Sequence, residues 1–582
     1  MPNARGGPPS AARALSALLL SLLAACGGDR DGGGGGGEER PAKAAAEERP
    51  ERGGTAVTAE VTDMVRPLSI IYQSEMDGDL IDVMYMGLTR PVWRDGRLVY
   101  LTSSESPMAL AWHWEYAGAD SSALRFRMKS GLRWSDGRPI TAHDVAWTFR
   151  AIKNPRSASP REQDLAQLDS VVPESDSVVV FHFQRRNPEM LFTTSIPIAP
   201  RHPYEGTAPE RLTTHPAFSN PESLVVSGPF KIGARRPGEQ ITLVPNPAFS
   251  VRPHLDRIVI RIIPEPTTRL VELRTGNVDM VKAITFDQVP DLRQRAPNLR
   301  FASIEKRYWE YVAYNPRPGT PFEDPRVRRA LGQALDVQGM ITALRMEPFT
   351  ARAAGPYAPI FRDLHDPARM RPLPYDPEGA RRMLEAAGWR DADGDGVREK
   401  DGKPLRFTLV TNTGNQRRAD VAQVMQQQWK AVGAEMRFQQ LEFNTFQQRQ
   451  VSRDFEALLG SWGVNLSPDI SPLFTPGSPF NIVSFGDSAA VRLMREAQAQ
   501  ETAEAANPLW RAAAERIVRE QPYTWLYYYD IVVGLGERLR GVRVDTFGAY
   551  QNSWEWWIPA SRRREGAAEA ADTAPDTAKE EG

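Results

Sequence analysis

Between Leu124 and Lys129 apolar and charged residues alternate, with Leu124, Phe126 and Met128 set against Arg125, Arg127 and Lys129. This is the two-residue period of a half-buried strand. Ser130-Gly131 predicts a turn, Leu132 and Trp134 resume the apolar face, and Asp136-Gly137 predicts a second tight turn. The period then lengthens. Val145, Phe149 and Ile152 stand at i, i+4 and i+7, one buried stripe of a helix. Thr141 precedes Asp144 by three residues, so each side chain can satisfy an N–H group that the first helical turn leaves open.

The same two periods recur along the chain. Residues 63–88 combine a short apolar run with a helix expected to end at Gly87, and Leu98 to Ala117 and Val178 to Phe183 read as strands. Thr267 to Met280 reads as a helix stopped by Gly276 and then a strand, following the strand around Ile258 and Ile260. That strand–helix–strand order predicts parallel strands. Tyr308 to Ala313 is a further strand. Asp324-Pro325 and Asp376-Pro377 each place a capping carboxylate before a proline at the first helical position. Val327, Ala330, Leu331, Ala334 and Leu335 make the buried stripe of the helix after Pro325. Alternation at Leu405, Phe407 and Leu409, a helical face at Val421, Val424, Met425 and Val432, and a strand at Met436 and Phe438 predict a βαβ unit.

The wording of the first stretch, GLRWSDGRPITAHDV, resembles the signature of the family 5 extracellular solute-binding proteins, receptors that feed peptides, nickel chelates and other solutes to ABC importers. Further stretches resemble the family in order: Gly228 to Ile232, Ile241 to Pro247, Leu255 to Arg261, and the Arg328-x-Ala330-Leu331 run. Together they cover about residues 63–560. The resemblance implies an α/β, two-lobed, three-domain periplasmic-binding-protein-like fold of the large peptide-receptor type. Domain I would comprise 55–88, 216–305 and 536–562, domain II the insertion 89–215, and domain III 306–535. The chain would cross between lobes near 306 and 536, so two strands would form the hinge. The implied function is capture of a peptide or peptide-like solute for a membrane permease. The same fold binding an oligosaccharide, metal chelate or other small molecule stays open, as does a surface lipoprotein with a chaperone-like or sensory role.

Composition narrows the rest. The 582 residues are 41% hydrophobic and 25% charged, and 72 basic residues nearly cancel 73 acidic ones. Nothing in that balance points to a nucleic-acid partner. Arg5 and Arg13, an apolar run from Leu15 to Leu23, and then Ala24-Ala25-Cys26 read as a lipoprotein signal peptide, 1–26. The run is too short to span a bilayer core of roughly 30 Å. Lipidation is expected at Cys26, placing the body outside the cytoplasmic membrane on a lipid anchor; inner and outer leaflets stay open. Cys26 is the only cysteine, which leaves no disulfide, thiolate metal site or cysteine nucleophile. Residues 27–54 are rich in Gly, Glu, Ala and Arg and read as a disordered tether, and 563–582 as a disordered acidic tail.

No H-E-x-x-H, G-x-S-x-G or phosphate-binding G-x-x-x-x-G-K-[ST] motif occurs, and the seven histidines lack metal-ligand spacing. The chain is therefore read as a receptor without cofactor, not an enzyme; a secreted hydrolase would need a nucleophile–base pair that no motif supplies. Asp391, Asp393 and Asp395 with Gly396 match the first half of a calcium-binding EF-hand loop, but Gly402 stands where a bidentate Glu is needed. A tight Asx/Gly turn is the main expectation and a weak calcium site the alternative. The resemblance implies that Trp462 and Gly463 face ligand. Asn465 stands where peptide-binding members carry an aspartate that pairs with the peptide's α-ammonium. Either the ligand lacks a free amine or another carboxylate takes over, with Glu75 the nearest candidate. Gln73, Ser74 and Glu75 match the family's ligand-facing loop by offset, and Tyr550 is a candidate pocket wall.

Overall fold

The computed structural model of the protein describes residues 49–564 apart from Gln73, Val464 and Asn465. The leader with Cys26, the Gly-rich stretch up to residue 48 and the tail from 565 lie outside the described residues, as do the ligand-binding candidates Gln73 and Asn465.

The signature stretch folds as its periods predict. Strand Ala123–Met128 buries Leu124, Phe126 and Met128. Helix Ala142–Lys153 buries Val145, Phe149 and Ile152. The Asp144 carboxylate accepts the Thr141 backbone N–H at 2.9 Å and reaches across to the Arg201 N–H at 3.0 Å. The capping carboxylate thus ties the helix start to a segment 57 residues on. The strand belongs to a four-stranded antiparallel sheet with Ala111–Ala117, Val178–Phe183 and Leu168–Ser175.

The main sheet has eleven strands among the described residues. Its order from one edge is Glu435–Leu441, Arg406–Asn412, Ala457–Gly463, Arg300–Tyr314, Tyr523–Leu535, Met280–Ile284, Thr55–Glu60, Arg257–Ile262, Gln240–Pro245 and Phe230–Arg236, with Thr350–Arg352 beside Tyr523–Leu535. The predicted βαβ unit is present, with Arg406–Asn412 parallel to Glu435–Leu441. Arg257–Ile262 and Met280–Ile284 are parallel too, but Thr55–Glu60 lies between them and pairs with both.

Two strands are long enough to serve both ends of this sheet. Arg300–Ile304 pair with Ile531–Leu535, and Tyr308–Ala313 with Tyr523–Tyr529; register breaks between Ile304 and Tyr308. On one side of the break the neighbour is Met280–Ile284, on the other Ala457–Gly463. One apolar core gathers residues from Ala56 to Ile260 with the C-terminal Tyr550 and Trp556; another gathers Trp309, Tyr311, Phe474, Trp510 and Tyr523.

The helix expected to end at Gly87 is Glu75–Met84. It stops early because the Met84 carbonyl accepts the N–H groups of Ser227 at 3.0 Å and Gly228 at 2.7 Å. Gly228 is needed there, since a Cβ would lie 2.3 Å from the Val83 oxygen. A segment far along the chain therefore sets the end of this helix.

Candidate functional site

At the register break a cleft of about 410 Å³ opens, within the roughly 300–1,000 Å³ usual for small-molecule sites. Helix Glu75–Met84 contributes Glu75, Gly78, Asp79 and Asp82 to its lining. The crossing strands contribute Ile304, Tyr308 and Ile531, and Lys282 comes from the neighbouring strand. Phe547 and Gly548 complete it from the C-terminal segment, and Arg161 and Pro197 from the stretch between helix Ala142–Lys153 and strand Phe230–Arg236. Residues from both sides of the break, Ile304 and Tyr308, thus share one cavity.

Glu75, Asp79 and Asp82 stand at i, i+4 and i+7, so one helix face carries three carboxylates into the cleft. They meet a lysine. The Lys282 ammonium donates to Asp79, lies 3.4 Å from Glu60 and 3.6 Å from Glu75, and its side chain is only 6% exposed. Burial alone would lower its pKa, but Asp79, Glu60 and Glu75 hold it well above the usual lysine range. Tyr550 closes the back of the cluster: its hydroxyl donates to Glu60 at 3.0 Å and lies 2.8 Å from Thr58 Oγ1, with Lys282 5.7 Å from its ring centre. Burial pushes the Glu60 carboxyl up to about 7 against the pull of Lys282. Burial likewise pushes Asp82 up to about 6, although Arg90 stands 3.7 Å away and Gln551 donates to it at 2.7 Å. The arrangement can hold charge and donate or accept hydrogen bonds at the edge of a partly enclosed space.

The sequence profile of the bacterial extracellular solute-binding proteins, family 5 Middle, matches residues 107–482. The chain belongs to this family. It is 26% identical over 519 residues to the oligopeptide-binding protein AppA of Bacillus subtilis (strain 168), covering 88% of this chain and 92% of the relative. The structure of Bacillus subtilis AppA in complex with a nonapeptide superposes with a TM-score of 0.75 at 25% identity, covering 88% of this chain and 100% of that one. NikZ from Campylobacter jejuni in complex with Ni(L-His) has the same fold, with a TM-score of 0.72 at 21% identity and coverage of 86% and 99%. The fold is thus the two-lobed α/β architecture of family 5, whose members are solute-binding proteins rather than enzymes. No helix among the described residues is long and apolar enough to cross a membrane.

In this family 5 chain Ser74 and Glu75 line the cleft, where Ser74 also caps the helix by accepting the Asp77 N–H at 3.0 Å. Tyr550 is 2% exposed and stands behind Lys282. Gly463 and Trp462 pair with Tyr308 and Trp309 on the adjoining strand. Gly463 lets the Tyr308 ring approach, since a Cβ would lie 2.7 Å from it. Trp462 is half-buried, stacks on Tyr311 at 6.0 Å and donates to the Tyr523 hydroxyl at 3.3 Å. The aspartate loop is a separate turn. Asp391 accepts the N–H groups of Gly394 at 2.7 Å and Gly396 at 3.1 Å, and a ligand oxygen from each of Asp391, Asp393, Asp395 and Glu399 falls within a 4.8 Å group. Glu399 occupies the ninth loop position, a ligand position the sequence reading overlooked. Lys282, Asp79, Asp82, Glu60 and Tyr308 were also missed. The helical spacing of 75, 79 and 82 and the lone lysine in the apolar strand MVKAI were the available signals.

Proposed function

We propose that this chain is the receptor of an ABC importer, binding a peptide or peptide-like solute in the cleft and presenting it to a membrane permease. The observation that carries this is the cleft itself, shared by the carboxylate-bearing helix Glu75–Met84 and by Tyr308 across the register break of the two long strands. The oligopeptide-binding name of the Bacillus subtilis relative supports a peptide as cargo. Ser74 and Glu75 contact the solute from one lobe, and Gly463 and Trp462 extend the wall beyond Tyr308 in the other; Gln73 and Asn465 remain ligand-binding candidates by sequence position. Tyr550 positions Lys282 from behind. The lobes comprise domain I (55–88, 216–305 and 536–562) with domain II (89–215), and domain III (306–535). They close about the two strands by hinge motion, so part of the binding energy goes into closure.

Binding, not catalysis, is the task. Cys26 carries the lipid that holds the body at the membrane. Replacing it as Cys26→Ser should move the folded body to the soluble fraction, because acyl chains contribute about 0.8 kcal/mol per buried CH₂; unchanged membrane fractionation removes the anchor. The receptor itself is tested by small-angle scattering. A pool of short peptides should reduce the radius of gyration of the protein after removal of any co-purified solute. No change in dimensions with bound peptide would contradict closure.

A further inference from the structure

We propose that a clasp away from the cleft, where segment 89–215 meets segment 306–535, holds the closed lobes together, and that Glu189 makes it loosen as pH rises. This rests on the hinge closure proposed above and adds the contacts that hold the closed form. The clasp starts from a hairpin. Strands Arg90–Arg94 and Arg97–Leu101 pair antiparallel, and Asp95 (φ 51°) and Gly96 (φ 79°) between them make the left-handed turn that suits such a hairpin. Trp93 then stands opposite Leu98, so both lie on one face. That face packs on the core of Trp309, Phe474 and Tyr523, where Phe192 joins it. The Trp93 ring meets Phe361 edge-on, with centres 6.3 Å apart. The Arg362 stem lies over Gly96, where a Cβ would be 2.5 Å from its Cδ.

The polar half of the clasp lies between Arg185, Glu189 and the turn at residues 467–471. Arg185 donates to the Gln498 carbonyl at 3.1 Å, and the Gln498 amide donates to Asp469 and to the Ser471 hydroxyl, each at 2.9 Å. Ser467 accepts the Asp469 N–H at 3.1 Å, which leaves its hydroxyl hydrogen for the Glu189 carboxylate. Asp469 and Tyr357 face Glu189 from across the contact, and Tyr100 faces it from its own segment. Arg185 is engaged by Gln498, and Arg186 lies 4.6 Å over the Tyr116 ring. Burial, with the charge of Asp469 added, pushes the Glu189 carboxyl up to about 7 against the pull of the Ser467 hydroxyl. Parting of the lobes returns it to water and to its ordinary 4.5, so between these values the closed form binds more protons than the open one. The contribution of Glu189 to closure is full below pH 4.5 and is lost as pH rises through 7. Trp93, Leu98, Phe192, Glu189 and Asp469 are only half-buried, as in interfaces between domains that move, and none of them lines the cleft.

The test is small-angle scattering on the wild type, Glu189→Gln and Trp93→Ala, each titrated with the same pool of short peptides at pH 5.5 and at pH 8. The quantity read is the peptide concentration that gives half of the contraction. Gln keeps the shape of Glu and accepts the Ser467 hydroxyl without a charge. Glu189→Gln should therefore close at a lower concentration than the wild type, and that advantage should grow roughly tenfold from pH 5.5 to pH 8. Titration of groups in the cleft is common to both proteins and cancels in the comparison. Trp93→Ala should need about fivefold more peptide at both pH values. Wild-type midpoints for both variants at both pH values overturn the clasp and leave the hinged receptor standing. An advantage of Glu189→Gln that does not change with pH overturns the role of Glu189. A wild-type midpoint for Trp93→Ala overturns the apolar half. Failure of the wild type to contract with bound peptide removes hinge closure, and the inference with it.

Discussion

Two groups of charge lie against the main sheet, one gathered around a lysine and the other around a carboxylate. In the cleft cluster one lysine, Lys282, sits among Glu60, Glu75 and Asp79. In the other, one carboxylate, Glu310, sits between two arginines: Arg417 donates to it at 3.0 Å and Arg418 donates to its other oxygen. The arginine group is the more enclosed of the two. Glu310 is fully buried, Arg418 also donates to Asn412 at 2.6 Å and Ser461 at 2.8 Å, and Arg417 lies 4.1 Å over the Tyr529 ring. Burial would lower the pKa of both arginines, but Tyr527 and Glu310 for Arg417, and Glu310 for Arg418, raise it. The cleft cluster is more open by comparison, with the Glu75 side chain 72% exposed at the edge of the cavity. Enclosed charge fixes a structure, whereas charge at a cavity edge is placed where a solute can meet it.

The comparison is sharpest at Glu310. Glu310→Ala should leave two buried guanidinium groups without their carboxylate and cost about 3–5 kcal/mol of stability, read from urea unfolding. A loss below about 1 kcal/mol would show that the arginines reach water and that the group is not closed.

Lys282→Met should cost less, about 2 kcal/mol at pH 8, because the carboxylates it leaves can take up protons. The sign follows from Glu60. Its folded pKa, about 7, lies above its ordinary value of 4.5, so between those values the folded state binds more protons than the unfolded chain. Its contribution to stability is greatest below pH 4.5 and declines as pH rises to 7. Without Lys282 that decline steepens, so the deficit of Lys282→Met should shrink on going from pH 8 to pH 5.5. A deficit independent of pH would mean that Glu60 and Asp79 do not face the lysine as described.

The aspartate loop supplies the smallest effect. Asp391, Asp393 and Asp395 are exposed and already bonded to the turn's own N–H groups. Chelating calcium should shift the melting temperature by no more than about 1–2 °C. A larger drop would mean that Glu399 at the ninth position completes a real calcium site.

What the sequence disclosed divides along the same line. The signature stretch, the Asp324-Pro325 and Asp376-Pro377 helix starts and the βαβ unit near 405–438 were legible because period and capping are local properties. The end of helix Glu75–Met84 was not, since residues 227 and 228 decide it. The cleft cluster was legible only in part: Ser74 and Glu75 came from the family resemblance, but Lys282 meets Asp79 from 203 residues away and no local pattern announces that meeting. Glu310 was hidden for the same reason, its partners lying 107 and 108 residues on.

The central claim is that the cleft beside helix Glu75–Met84 holds the solute, and Gly78 offers the most direct way to test it. Gly78 lines the cleft, and a Cβ there would meet the Tyr72 ring at an ordinary 3.5 Å, so Gly78→Trp can fill the cavity while the helix persists. Native mass spectrometry after incubation with a pool of short peptides should show one peptide per wild-type molecule. Retention by Gly78→Trp should fall at least about tenfold, at an unchanged melting temperature. Equal retention by the two proteins, or none by the wild type, would contradict the assignment of this cleft.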